Sequence, residues 1–239
     1  FSPVILVIAV ATVVTMLIYW AISAVFFRQD AAETMAGAAS SSYYNSVNIG
    51  LPIATYVLGD ATFVVPALVL QMAVLSPIVI AGLDRGAKGV GKSVVSGLTA
   101  PVVVAAFAGF AVSAASWTVP EPVLAPLEIL GGASIPLILM SFGASLTGEK
   151  VLTSHRGPTL TATALKLVGM PAVAWVVATL LGLHGQEMYA ALILCALPTA
   201  QNVYNYAATY RSGEVICRDT VFLTTFLALP AMLLIAGVF

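Results

Sequence analysis

The sequence contains very few charged residues. Lys, Arg, Asp and Glu together make up 8% of the 239 residues, whereas 60% are hydrophobic. Soluble domains carry about 25% charged residues, so this composition excludes a soluble globular fold and indicates an integral membrane protein. The formal net charge is −1, and nine basic residues form no patch for nucleic acid, so we expect no nucleic-acid partner.

Cysteine and histidine are also scarce, with two residues of each type. Cys195 lies in a predicted membrane span and Cys217 in a predicted loop, and we expect both to be free thiols. His155 and His184 fall in loops on opposite sides of the membrane, so the sequence has no paired-histidine metal motif. We therefore expect no catalytic residue, no metal site and no cofactor.

Long apolar runs make up most of the chain. A membrane-spanning helix needs about 20 apolar residues, and the sequence contains eight such runs with short connections between them. No connection is long enough for a separate soluble domain, so we expect an all-α, multi-pass protein of the cell membrane. The predicted spans are 3–27, 33–58, 62–83, 93–116, 122–147, 158–183, 187–210 and 219–239.

The connections on the two faces of the membrane differ in charge. With eight spans, one face carries eight basic residues and the other carries none. This asymmetry follows the positive-inside rule and places the basic face in the cytoplasm. The basic residues on that face are Arg28, Arg85, Lys88, Lys92, Lys150, Arg156, Arg211 and Arg218. The opposite face carries Asp60, Glu121, His184 and Glu187.

The second predicted span contains a stretch that does not suit the middle of a membrane helix, Asn45-Ser-Val-Asn48-Ile-Gly50-Leu-Pro52. Proline removes a backbone donor, glycine loosens the chain, and the asparagine amides need polar partners. Non-helical backbone is tolerated at membrane depth only where it is buried in protein or lines a wet cavity. We interpret this stretch as a broken helix at a transport site.

A related stretch in the seventh span, Pro198 to Asn205, contains a second polar break. The segment from Asn48 aligns with the segment from Asn202, 154 residues later, with matching Ala, Thr, Tyr and Gly residues. The two copies lie five spans apart, an odd number, so they run through the membrane in opposite directions. We therefore predict inverted five-helix repeats. The first copy shows three helices, which predicts on the order of 60 further residues, a two-helix hairpin, before Phe1.

Two broken helices in inverted repeats form a candidate anion site. They can cross near the bilayer midplane, where each break exposes N–H groups at the positive end of a half-helix. A carboxylate is a natural ligand for such ends. The alternative is that the polar residues only allow close helix packing. The candidate substrate-binding residues in the two breaks are Asn45, Asn48, Gly50, Asn202 and Asn205.

Ionisable and polar side chains inside the spans provide further candidates. Lys166 and Glu128 are possible charge or coupling residues, because an intramembrane ionisable group is a functional candidate by default. Lys166 could equally extend its amine along the helix to the cytoplasmic face. Glu128 lies toward the outer face, so we expect no direct salt bridge between the two. For Gln71 we expect a hydrogen bond that joins packed helices.

Several of these stretches resemble motifs of the auxin efflux carrier family, whose bacterial members are permeases for small organic acids. The resemblance covers the whole chain and includes both breaks. The similar stretches are Asn48-Ile-Gly-Leu-Pro52 with Gly59-Asp60, Leu197-Pro-Thr-Ala-Gln-Asn202 with Ala208 to Tyr210, Thr224-Thr225 with Pro230, and Pro136 with Gly143.

This resemblance implies a ten-helix transporter fold, shared with sodium–bile acid symporters, of which the first two helices are missing here. It implies a transport domain formed by 1–84 and 151–239, and half of a scaffold at 93–150. It suggests that Asn48, Pro52, Pro198, Gln201 and Asn202 line the substrate-binding site. It also implies an elevator-like movement and a homodimer in the lipid bilayer. The expected substrate is a small organic anion such as a carboxylate, with proton or sodium coupling undetermined.

Three alternatives remain open at this point. The protein could be a sodium-coupled organic-anion symporter, or a membrane receptor or sensor that binds the anion without moving it. An intramembrane enzyme is the third, but Ser145 and Lys166 are not positioned as a dyad by anything in the sequence.

Overall fold

A computed structural model describes residues 3–59, 63–84, 90–147 and 150–238. Asp60, Arg85 and Lys88, which entered the charge argument, lie outside the described residues. The described chain is all-helical apart from one isolated bridge between two extended residues. The fold class predicted from composition, an all-α membrane protein, is confirmed at this level.

The first part of the chain forms helices α1 to α5. Asp30 begins α2, because its carboxylate accepts hydrogen bonds from the N–H groups of Ala32 and Glu33 at 2.9 and 2.7 Å, as expected of an N-cap. The helices are α1 Pro3–Ile22, α2 Ala31–Ser42, α3 Leu51–Tyr56, α4 Val65–Leu70 and α5 Ser76–Leu83. π-helical turns extend α1 over Ser23–Phe27, precede α3 at Ser46–Gly50 and join α4 to α5 over Gln71–Leu75.

The second part of the chain forms helices α6 to α13. They are α6 Val90–Thr99, α7 Pro101–Ala114, α8 Glu121–Leu146, α9 Arg156–Ala164, α10 Met170–Leu180, α11 Gly185–Ala196, α12 Gln201–Tyr210 and α13 Glu214–Ala236. A π-helical turn at Leu165–Gly169 joins α9 to α10.

Four uninterrupted helical runs among the described residues are long and apolar enough to cross a membrane: Pro3–Phe27, Val65–Leu83, Arg156–Leu180 and Glu214–Ala236. They lie within or close to the first, third, sixth and eighth predicted spans. The second and seventh predicted spans contain the two breaks, so each consists of two shorter helical pieces. The breaks that the sequence indicated are therefore interruptions of the helical backbone.

Two details of the predicted spans were wrong. The fourth span is not continuous, because Ala100 takes an extended ψ of 136° before Pro101 starts α7, and a residue before proline is disfavoured in the helical region. The last helix begins at Glu214 rather than at 219, following Gly213 with a φ of +65°. Cys217 therefore lies inside a helix and is buried, not in a loop.

The core lies between α1, α2 and the second half of the chain. One apolar cluster joins α1 residues such as Ile8 to Ala174 of α10 and Leu194 of α11. Another cluster joins α2, α5 and α12 and includes Val203. By contrast, α8 exposes large apolar side chains such as Leu130 and Met140. The extended residues of the two breaks, Tyr43, Tyr44, Thr199 and Ala200, are buried in this core, whereas Leu51 and Pro52 are exposed.

Candidate functional site

The two breaks bind each other through their backbones. Tyr44 and Thr199 form an isolated antiparallel bridge. The N–H group of Asn45 donates to the carbonyl oxygen of Pro198 at 2.9 Å, and the N–H group of Ala200 donates to the carbonyl oxygen of Tyr43 at 3.0 Å. Each extended segment thus supplies the hydrogen bonds that helical backbone would otherwise have made, as buried main-chain groups require.

Polar side chains from neighbouring helices hold this bridge. Gln71 is buried, and its Nε2 donates to the carbonyl oxygen of Tyr44 at 2.6 Å while its Oε1 accepts from the Ser46 hydroxyl. On the other break, the N–H group of Thr199 donates to Oγ1 of Thr224 at 3.1 Å. The hydrogen bond expected for Gln71 is confirmed, and it goes to the broken backbone itself.

The broken segments provide four half-helix ends. At the end of α2, the Thr199 hydroxyl donates to the carbonyl oxygen of Ser40 at 2.6 Å. At the start of Ser46–Gly50, Oδ1 of Asn45 accepts from the N–H group of Asn48 at 3.1 Å. At the end of α11, Nζ of Lys166 donates to the carbonyl oxygen of Cys195 at 2.7 Å. Three of the ends are therefore capped by side chains of the chain itself.

The fourth end, the start of α12, has no side-chain cap, since its N-cap residue is Ala200. The first N–H groups of a helix lack the usual intrahelical acceptors. That of Val203 donates to the carbonyl oxygen of Ala200 at 3.1 Å, so among the described residues the N–H groups of Gln201 and Asn202 remain available. Gln201 is the first residue of α12 and is 8% exposed, yet its Oε1 has no hydrogen-bond partner among the described residues. This end can therefore receive a ligand.

A cavity of about 180 Å³ lies beside the start of α12. It brings together four of the predicted site residues, Asn45, Asn48, Gln201 and Asn202. Its other described lining residues are Tyr44, Ser46, Val47, Gln71, Met72, Ser134 and Ala200. All of these side chains are uncharged, so the described lining offers hydrogen-bond donors and the positive end of a helix dipole rather than a formal charge.

The other predicted site residues do not appear in the described lining of this cavity. Pro198 contributes its carbonyl oxygen to the bridge, and Pro52 lies in the first turn of α3. A Cβ on Gly50 would lie 2.9 Å from Cδ1 of Leu197, so this glycine allows close packing between the two breaks. The carbonyl oxygen of Asn205 accepts from the Thr209 hydroxyl one turn further along α12.

Sequence reasoning did not place Gln71, Ser46 or Ser134 at the site. Gln71 had a signal, because it is a polar residue within an apolar run. Ser46 lies inside the first break, and Ser134 lies in α8, in the scaffold segment expected from the family resemblance. Their convergence on one cavity depends on helix packing, which a single sequence does not reveal.

The two candidate charge residues lie in different environments. Lys166 is fully buried, with Nζ 3.0 Å from Sδ of Met170 and 6.0 Å from the centroid of the Tyr44 ring. Its amine therefore points into the protein, and extension to the cytoplasmic face, one of the two interpretations kept open, is wrong. Glu128 is exposed on α8.

The helices and the linked breaks describe a multi-pass membrane protein, and comparison with known proteins assigns its family. A family model described as membrane transport protein matches residues 87–236, well over half of the chain and including the second break. The chain therefore belongs to this membrane transport family, that of the auxin efflux carriers named from the motifs above.

A curated relative extends this comparison. An uncharacterized transporter of Methanocaldococcus jannaschii is 27% identical over 107 residues, which is 45% of this chain and 34% of that protein. The chain thus matches about a third of the length of this relative. Transport families are not enzymatic in general, which agrees with the absence of a catalytic motif from the sequence.

Proposed function

We propose that the protein is a secondary transporter for a small organic anion, such as a carboxylate. The observation that carries the proposal is the uncapped start of α12 at a cavity lined in part by amide and hydroxyl side chains, where the other three half-helix ends are already capped. A helix start carries about half a positive charge and free N–H groups. An anion is the ligand that satisfies both.

The cavity also favours a small substrate. Pockets for drug-sized ligands measure about 300–1,000 Å³, whereas this cavity measures about 180 Å³. We propose that the carboxylate accepts hydrogen bonds from the first N–H groups of α12 and from the amides of Asn45, Asn48, Gln201 and Asn202. In this arrangement Gly50, Pro52, Pro198 and Asn205 shape the breaks.

We further propose an alternating-access mechanism of the elevator type. In it, 1–84 and 151–239 form the moving transport domain with the two crossover helices, and 93–150 forms part of a fixed scaffold. A contact between α8 and the second break is consistent with this division: the ring of Phe142 lies 5.8 Å from that of Tyr204, centroid to centroid. Inverted repeats, a homodimer and placement in the cell membrane complete the proposal.

Flux measurements test the proposal. The full-length protein is reconstituted into liposomes, and uptake of labelled acetate, lactate, succinate and malate is measured for the wild type, Asn202→Ala and Gln201→Ala. Loss of a hydrogen bond to a charged group costs about 1.5–3 kcal/mol, so uptake at low substrate concentration should fall by about tenfold or more.

Thr209→Ala is the matched control for these variants. Thr209 lies on the same helix but is exposed, and its hydroxyl bonds within α12, so uptake should be unchanged. Equal flux in the wild type and both site variants would overturn the assignment of these residues. Saturable binding of an acid without any flux would instead identify a receptor or sensor.

A further inference from the structure

The end of α11 is capped by a lysine side chain. The last carbonyl groups of a helix have no intrahelical donor, and the helix dipole places about half a negative charge there. Nζ of Lys166 lies 2.7 Å from the carbonyl oxygen of Cys195, in the last turn of α11. The lysine amine therefore donates to this helix end, directly beside the second break.

Lys166 reaches this position from another helix and is closed off from solvent. It belongs to the π-helical turn Leu165–Gly169, and its exposed fraction is 0%. In the part of the chain that the structure describes, no carboxylate forms an ion pair with it. Its partners are the carbonyl oxygen of Cys195, the sulfur of Met170 and the face of the Tyr44 ring. Buried basic residues in membranes characteristically pair with backbone carbonyls in this way.

The corresponding end at the first break is different. There the hydroxyl of Thr199, a neutral group, donates to the carbonyl oxygen of Ser40 at the end of α2. In transporters with broken helices, half-helix carboxyl ends and unwound carbonyls are the groups that coordinate a coupling cation such as Na⁺. At the end of α11, the ammonium group of Lys166 can take the place of such a cation.

We propose that Lys166 is a tethered cation that takes the place of a coupling metal ion at the end of α11. Anion binding and transport by this protein are then independent of sodium and potassium. The predicted effect on transport rests on the proposed function. The occupation of the helix end by Lys166 can be tested without any substrate.

The lysine also acts on the substrate cavity. The Tyr44 ring lies 6.0 Å from Nζ and also lines the cavity. A positive charge one side chain away from the cavity attracts an anion there, and the low dielectric of the interior strengthens the attraction. The neutral cavity lining is thus compatible with an anionic substrate.

The first test measures thermal stability of the purified full-length protein in detergent, with choline chloride replaced by sodium chloride at equal ionic strength. The wild type should show the same melting temperature in both salts. Lys166→Ala leaves the carbonyl end uncapped and a space open, so its melting temperature should fall in choline and recover partly in sodium. Lys166→Met fills the space without a charge and should fall without recovery.

Recovery of Lys166→Met to the same extent as Lys166→Ala would overturn the proposal, as would a wild type that sodium stabilises. If Lys166→Ala cannot be purified, binding of ²²Na⁺ to the wild type decides the question. The proposal requires no saturable binding, and saturable binding contradicts it.

The second test uses the liposomes described above. Replacing sodium or potassium by choline on both sides should leave uptake by the wild type unchanged, and a change of threefold or more would contradict cation independence. If none of the four acids is transported, the proposed function fails, but the stability test still decides the role of Lys166. The two failures are therefore distinguishable.

Discussion

The N–H group of Asn45 donates a 2.9 Å hydrogen bond to the carbonyl oxygen of Pro198, so each helix break supplies a partner that the other requires. Proline is suited to its side of this contact, because it has no N–H group that would be left unpaired. The return bond from Ala200 to Tyr43 completes the exchange. A change that separates the two breaks should therefore affect both.

Gln71→Met should destabilise the protein by about 1–3 kcal/mol, the cost of leaving a buried polar group unpaired. Gln71 holds both the Tyr44 carbonyl oxygen and the Ser46 hydroxyl, so methionine leaves two groups of the first break without their partner. Thermal unfolding in detergent measures the effect. Gln186→Met is the control, because Gln186 donates to the carbonyl oxygen of Leu58 from an exposed position, where water can replace it.

Thr199→Val should cost about 1–3 kcal/mol, because valine fills a similar volume but leaves the Ser40 carbonyl oxygen without its donor. Thr179→Val provides a matched comparison: its hydroxyl donates to Trp175 within the same helix from an exposed position. Chemical denaturation of both variants measures the difference between their free energies of unfolding. Equal stability of the two would show that the end of α2 does not depend on Thr199.

Gly37→Ala should destabilise the packing of α1 against α2. A Cβ at Gly37 would overlap the ring of Tyr19, which is buried, and overpacking costs about 1–3 kcal/mol. At Gly131 in α8 the space around a Cβ is open. Gly131→Ala should therefore lose no stability, and a gain of up to about 1 kcal/mol is expected from helix propensity. The melting temperature of Gly37→Ala should fall below that of the wild type, whereas that of Gly131→Ala should equal or exceed it.

Much of the organisation could be predicted from local sequence. Apolar length located the long spans, and polar residues next to proline and glycine located the breaks, since both signals depend on neighbouring residues. The sequence did not reveal the interruption at Ala100 in the predicted 93–116 span, because the Thr-Ala-Pro sequence lies among strong apolar residues. The start of α13 was misplaced because the charged residues from Arg211 to Arg218 suggested a loop, whereas the helix begins at Glu214 and Arg218 pairs with Asp219 inside it at 2.9 Å.

The direction of the Lys166 side chain inside its predicted membrane span could not be predicted from the sequence. Lys166 could be identified as an unusual residue, but the sequence is the same whether its side chain extends toward solvent or into the core. The choice follows from the end of α11, whose carbonyl oxygens lie within reach of the amine. That partner is 29 residues away and becomes adjacent only when the helices pack.

The sequence by itself determined that this is a helical membrane protein with two polar breaks, because hydropathy and backbone propensity act over a few neighbouring residues. The tertiary structure alone decided that Asn45 faces Pro198, that Gln71 supports the first break and that Lys166 caps α11. Each of these contacts satisfies a buried polar group with a partner distant in sequence. The requirement to satisfy such groups is visible in the sequence, but the identity of the partner depends on how the helices pack.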